Sequence, residues 1–297
     1  MSLIIKNTID RLASSCTAKE GKAFSRYKSW EYCHAAFLEA HEYLKNHNWK
    51  LNEDQKEYLS LQLHGYLASW GMLRDSFLLQ RDYKTHREAV RIILDKQYDS
   101  LWEYDPSDPK NKGKHQTIAR KVKEIANKIE KSYNPTPDRY LVAGNQTKLS
   151  ATLITKILMG TFAVVPAFDR FFIDGINRRK SHPAFKGEPL SASFSEKSIE
   201  NLFVFAEMNA SNLNASATSY PPMKKVDMYF WELGFEKGLV DGLSKNGTNG
   251  CARTKKKLLE QLKPLLPQTI IPKKPKTNWT FNDLLGEIDA IKTFFEI

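Results

Sequence analysis

The sequence predicts an all-α protein: a multi-helix globular body followed by a basic, proline-containing C-terminal segment. Three observations carry that prediction. Apolar residues recur three to four apart in one segment after another, as in Trp30, Cys33, Phe37 and Ala40, or Ile199, Leu202, Phe203 and Phe205. Up to about residue 150 no stretch alternates apolar and polar residues as a half-buried strand does. The periodic segments are separated by breaks rich in Pro, Gly, Asn and Asp, such as NHNWKLNED, DPSDPKNKGK and YNPTPDRY.

Residues 1–50 read as two helices, the second running from about Lys28 to Lys45, and Asn52 or Asp54 is a natural cap for the next. From Asp54 to about Gln80 the sequence predicts one long helix, too apolar on all sides for a surface position. It carries His64, Tyr66, Trp70, Arg74 and Ser76, with Gly65 and Gly71 as weak points. His64 reads as a core residue with an internal hydrogen bond. Trp70 and Arg74, four apart on one helical face, suit a stacked base or a phosphate, and equally a core Trp beside a salt-bridged Arg. Arg81 to Tyr98 continues helically with Val90, Ile92, Ile93 and Leu94 inside, and a basic helix follows from about His115 to Ser132.

The chain is organised around LSATLITKILMGTFAVVPAFDRFFIDG, residues 149–175. Leu149, Leu153, Ile154, Ile157 and Leu158 define one apolar face, with Lys148, Thr152, Thr155 and Lys156 on the other. Gly160 suits the end of this helix, and Pro166 interrupts any helical continuation. Asp169 then stands at the mouth of the next helix, DRFFIDGINRR. A carboxylate there has two readings: a helix cap worth about 1 kcal/mol, or a catalytic group kept ionised by the helix end and set among Phe168, Phe171 and Phe172. The two roles are compatible.

Beyond it, residues 177–195 form a loop whose positive cluster is Arg178, Arg179, Lys180 and Lys186. A helix from Glu196 to about Met208 follows, then another beginning at the proline pair Pro221–Pro222 and running to about Gly238. The character changes there. We divide the chain into a helical body, 1–238, in which two intimate lobes would meet near 135–150, and a basic linker with a C-terminal helix, 239–297. From Arg253 to Lys276 there are eight Lys or Arg against one acid, Glu260: a solvated segment, or one that tracks a phosphate backbone.

The charge balance is +11, with a pI near 9.3. Such a chain suits a polyanionic partner, and nucleic acid first. No apolar run reaches membrane-spanning length, and the N-terminus lacks a signal peptide's apolar block. Cys16, Cys33 and Cys251 are too far apart for a zinc or iron–sulfur motif and fit reduced thiols, so a cytoplasmic location is expected. Phosphate-loop, dinucleotide-binding, GxSxG and HExxH motifs are absent from the sequence. His34 and His41, seven apart, lie on a structural face, so neither metal nor cofactor is expected.

The stretch SATLITKILMGTFAVVPAFDRFF resembles the segment around the catalytic aspartate of the helix-hairpin-helix DNA glycosylases. In that family an apolar helix leads through a short "VP" or "FP" connection to an Asp at the start of the next helix. Val165, Pro166 and Asp169 match the end of the pattern. Ser150 falls where bifunctional members carry a nucleophilic lysine and monofunctional adenine glycosylases a small hydroxyl residue. The hairpin's closely spaced glycines are missing from LVAGNQTKL, and the match covers about 25 residues of 297.

The resemblance implies an enzyme that flips a damaged or modified base from double-stranded DNA and hydrolyses its N-glycosidic bond. Asp169 would be the catalytic carboxylate, stabilising the sugar's developing positive charge or activating water. Tyr66, Trp70 or Phe168 would stack the base, with Arg74 beside them. Lys148, Ser150, Thr152 and Lys156 would lie near the phosphate, with Arg178, Arg179 and Lys180 as outer contacts. The product would be an abasic site, unless Lys148 or Lys156 reaches the sugar and forms a Schiff base. Ordinary damage and a modified base of foreign or phage DNA fit equally, the latter implying phage defence. The alternative is a non-enzymatic helical protein that binds nucleic acid.

Overall fold

The structure of the chain, a computed structural model, describes residues 2–17, 26–74, 76–133, 149–180, 190–247 and 250–297. All regular structure among them is helical: α1 (Ser2–Thr17), α2 (Arg26–Asn46), α3 (Glu53–Ser69), α4 (Arg87–Ile93), α5 (Asp99–Trp102), α6 (His115–Ser132), α7 (Ala151–Thr161), α8 (Arg170–Lys180), α9 (Glu196–Met208), α10 (Ala210–Asn214), α11 (Pro222–Asn246), α12 (Ala252–Leu262), α13 (Phe281–Gly286) and α14 (Ile288–Phe295), with short 3-10 turns between some of them. The all-α expectation holds. None of these helices is long and apolar enough to cross a membrane.

The chain divides into two compact units, residues 1–169 with 186–229, and residues 170–185 with 230–297. In the first, α2, α3 and α6 pack around α7. Every residue of α7 from Leu153 to Thr161 is buried, Thr155 and Lys156 included, so the helix has no solvated face. Thr155 and Lys156, read from the sequence as part of a polar side, face inward too. Trp30 of α2 ties itself to the same helix by donating its indole N–H to the Met159 carbonyl at 2.9 Å. His34 Nδ1–H donates to the Thr161 carbonyl at 2.6 Å, since a carbonyl only accepts. Gly160 is required here: a β-carbon would overlap the Tyr66 ring.

In the second unit, Leu239, Leu243, Leu258, Leu262, Trp279 and Phe295 belong to one apolar core that joins α11's later half to α12, α13 and α14. Within it α8 crosses α11 at glycines. β-Carbons at Gly175 and Gly234 would overlap the carbonyls of Phe230 and Phe171.

Five expectations are corrected: residues 177–180, expected in a loop, belong to α8, and the helix expected from Arg81 to Tyr98 is α4 between two 3-10 turns. The helix expected from Asp54 to Gln80 ends at Ser69, because Gly71 takes a left-handed φ of +74°. Gly71 N–H then bonds the Ala68 carbonyl and Met72 N–H the Leu67 carbonyl, the pair of bonds that closes a Schellman turn. Trp70 and Arg74 therefore do not share a helical face. The segment DGLSKN continues α11 as far as Asn246, well past Gly238. The C-terminal helix is two: Thr280 and Asp283 cap α13 reciprocally, and α14 begins after a break at Glu287.

Candidate functional site

The connection between α7 and α8, residues 162–169, is irregular, yet Phe162 to Phe168 are all buried. Buried backbone outside a helix needs partners for its polar groups, and here side chains supply them. Asp227 of α11 accepts the Ala167 N–H at 2.9 Å. Thr155 Oγ1 accepts the Phe168 N–H at 2.8 Å, and Thr152 Oγ1 donates to the Phe168 carbonyl at 2.8 Å. Asp169 N–H closes back on the Ala167 carbonyl at 2.7 Å. Ala163 takes a left-handed φ of 53°, strained backbone for a residue with a β-carbon. These constraints end at Asp169, the residue directly before α8.

The Asp169 carboxylate accepts a hydrogen bond from Lys156 Nζ at 2.7 Å. Beside this pair, Lys224 Nζ bonds Asp227 at 2.8 Å. Trp70 bridges the two pairs: its ring centroid lies 4.4 Å from Lys156 Nζ and 5.8 Å from Lys224 Nζ. Lys224 Nζ is also 5.1 Å from the Trp30 ring. Two ammonium groups and two carboxylates thus lie together inside the first unit. Side-chain exposure is 4% for Lys156, 4% for Lys224 and 7% for Asp227, but 17% for Asp169. Burying four charges costs stability unless the geometry is excellent. Asp169 is the member with an opening to solvent.

Of the aromatic residues expected to stack a base, Trp70 is partly exposed, whereas Tyr66 and Phe168 are buried, Phe168 against Phe194 with ring centroids 5.4 Å apart. Burial pushes the Tyr66 phenol well up, so it stays neutral, and Cys33, Asp227 and Asp169 push the same way. Arg74 is exposed, beyond the end of α3. Ser150 is the N-cap of α7, its hydroxyl accepting the Leu153 N–H at 3.2 Å. Thr152 and Lys156 are turned to the connection and to Asp169. Arg178 and Arg179 belong to the second unit, where their side chains are buried against Glu236 at 3.0 Å and Glu296 at 3.2 Å. Lys148, the loop lysine Lys186 and the Lys180 side chain lie outside the described residues.

Sequence reasoning passed over Lys224, Asp227 and Trp30 as site members. A signal existed: Asp227 falls on one helical stripe with Met223 and Phe230, where an apolar residue belongs. Among the described residues no three His, Cys, Asp or Glu side chains are grouped to hold a metal ion. Compared with known proteins, the chain matches no family model, no curated protein and no solved structure.

Proposed function

We propose that the protein is a DNA glycosylase of the helix-hairpin-helix kind, flipping a damaged or modified base from DNA and hydrolysing its N-glycosidic bond to leave an abasic site. The observation that carries the reading is the Asp169 carboxylate. It is the most open of four clustered charges, held by Lys156 at 2.7 Å, at the end of a connection whose backbone is fixed by Thr152, Thr155 and Asp227. Preorganised negative charge is what a departing base demands, because the sugar becomes cationic as the C1′–N bond lengthens. Asp169 would stabilise that cation while water, giving a proton to the carboxylate or to the leaving base, adds at C1′.

Lys156 in this reading is the partner that orients Asp169, rather than a phosphate contact. Trp70, partly exposed and lying over the Lys156 ammonium, would offer its ring to the flipped base. The match of Val165, Pro166 and Asp169 to the family's connection supports the same assignment. DNA is the partner the charge of +11 favours.

The test is release of free bases from a panel of damaged and modified duplex DNAs by wild type and by Asp169→Asn. Release by wild type alone, with DNA binding retained in the variant, is expected. Silence of the wild type across a broad panel, with binding intact, would leave a nucleic-acid-binding protein without this chemistry.

A further inference from the structure

Away from the charged cluster, the first unit carries two adjoining hollows. One, of about 560 Å³, lies between the α2–α3 turn and α4, and is lined by Trp49, Lys50, Lys56, Arg91 and Lys96 among others. The other, of about 380 Å³, is shared by α4 and α6 and lined by Arg91, Lys128 and Lys131 among others. Arg91 and Asp95 line both, so the two hollows adjoin and are treated together as one trough. Six cations line it against two acids.

Both acids are already engaged. Glu88 takes Arg91 through its two oxygens, and Asp95 caps the backbone N–H of Gln97 at 3.0 Å. Lys50, Lys96 and Lys131 are exposed and have no carboxylate within ion-pair distance among the described residues. Three exposed ammonium groups without an ion-pair carboxylate among the described residues suit an anion with several charges in line.

A second observation lies at the rim. Asn48 and Trp49 are both left-handed, with φ of 53° and 56°. For a residue as large as Trp this is uncommon and strained backbone. The turn holds a half-buried indole, its ring centroid 5.6 Å from that of His41, beside Lys50. One aromatic ring beside a row of cations suits a nucleic-acid strand, phosphates on the cations and a base on the ring.

We propose that this trough is a nucleic-acid-binding site, taking the phosphodiester backbone of a strand along Lys50, Lys96 and Lys131. It goes beyond base release and does not depend on it: a protein without glycosylase chemistry would still bind through this surface. An acidic protein segment is the competing occupant. It offers carboxylates but no bases for Trp49, and the strand is the better fit.

The test is fluorescence anisotropy with a labelled single-stranded oligonucleotide and its unmodified duplex, as a function of salt. Wild type and the triple variant Lys50→Gln/Lys96→Gln/Lys131→Gln are compared. The three lysines are exposed, so the triple variant should keep the wild-type circular dichroism and melting temperature. It should bind more weakly, and the slope of log affinity against log salt should shrink by about 2 to 3, roughly one counterion per lysine. Unchanged affinity and slope in the triple variant would overturn the proposal. So would displacement of the oligonucleotide by poly-glutamate as readily as by unlabelled DNA.

Discussion

Asp227 and Ala167 stand 60 residues apart and are joined by one hydrogen bond, the buried Asp227 carboxylate accepting the Ala167 N–H at 2.9 Å. The same carboxylate balances Lys224. One side chain therefore holds both the backbone leading to Asp169 and the second buried ammonium.

Asp227→Ala leaves the Lys224 charge unpaired and the Ala167 N–H unsatisfied at once. Removing one partner of a buried pair typically costs about 3–5 kcal/mol, and a loss in that range is expected in urea unfolding. Asp227→Asn keeps an oxygen for Ala167 but cannot balance the charge, so its loss should be smaller. Equal losses in the two variants would mean that the Ala167 bond contributes nothing.

The pH dependence of stability should carry the mark of His86. It is fully buried, with Nδ1 2.6 Å from the Tyr133 hydroxyl and Nε2 3.2 Å from His64 Nδ1. Burial, reinforced by His64, pushes its pKa from 6.5 down to about 3. The unfolded chain protonates this group near its ordinary pKa while the folded chain does not. Below about pH 6.5 the unfolded state therefore binds more protons, and stability falls as pH falls, by up to about 1.4 kcal/mol per pH unit. Urea midpoints measured downward from neutral pH should show this slope, and His86→Phe should flatten it. Burial also lowers His34, so part of the slope should survive. An unchanged slope in His86→Phe would assign it to other groups.

What was legible in the sequence follows from the range of the forces involved. The helices His115–Ser132 and Glu196–Met208 have the expected ends, since their apolar periodicity is strong and Ser195 is a good cap. The break after Ser69 is hidden in the sequence by an apolar pattern that continues to Leu79, whereas in the chain a left-handed Gly71 suffices to stop the helix. At the site, Asp169 is recognisable from its local surroundings. Lys156 is recognisable only as a cation, because its partner lies 13 residues away, past an irregular connection. Lys224 and Asp227 read locally as the polar start of a helix after two prolines. Only tertiary packing turns that start inward and under Trp70.

Two glycines give opposite predictions. Gly65 lies exposed in the middle of α3, and an added β-carbon there meets nothing within 4 Å. Gly65→Ala removes backbone freedom from the unfolded chain and improves helix propensity, so stability should rise by about 0.5–1 kcal/mol. Gly234 faces the carbonyl of Phe171, where the obstacle is backbone rather than the tip of a flexible side chain. Gly234→Ala must push α8 away from α11, and overpacking of this kind costs about 1–3 kcal/mol or more. Thermal melts of the two variants should move in opposite directions from wild type. A Gly234→Ala melt at the wild-type temperature would mean that this crossing yields without loss, and Gly175→Ala, which meets the Phe230 carbonyl at the same crossing, should then be tolerated as well.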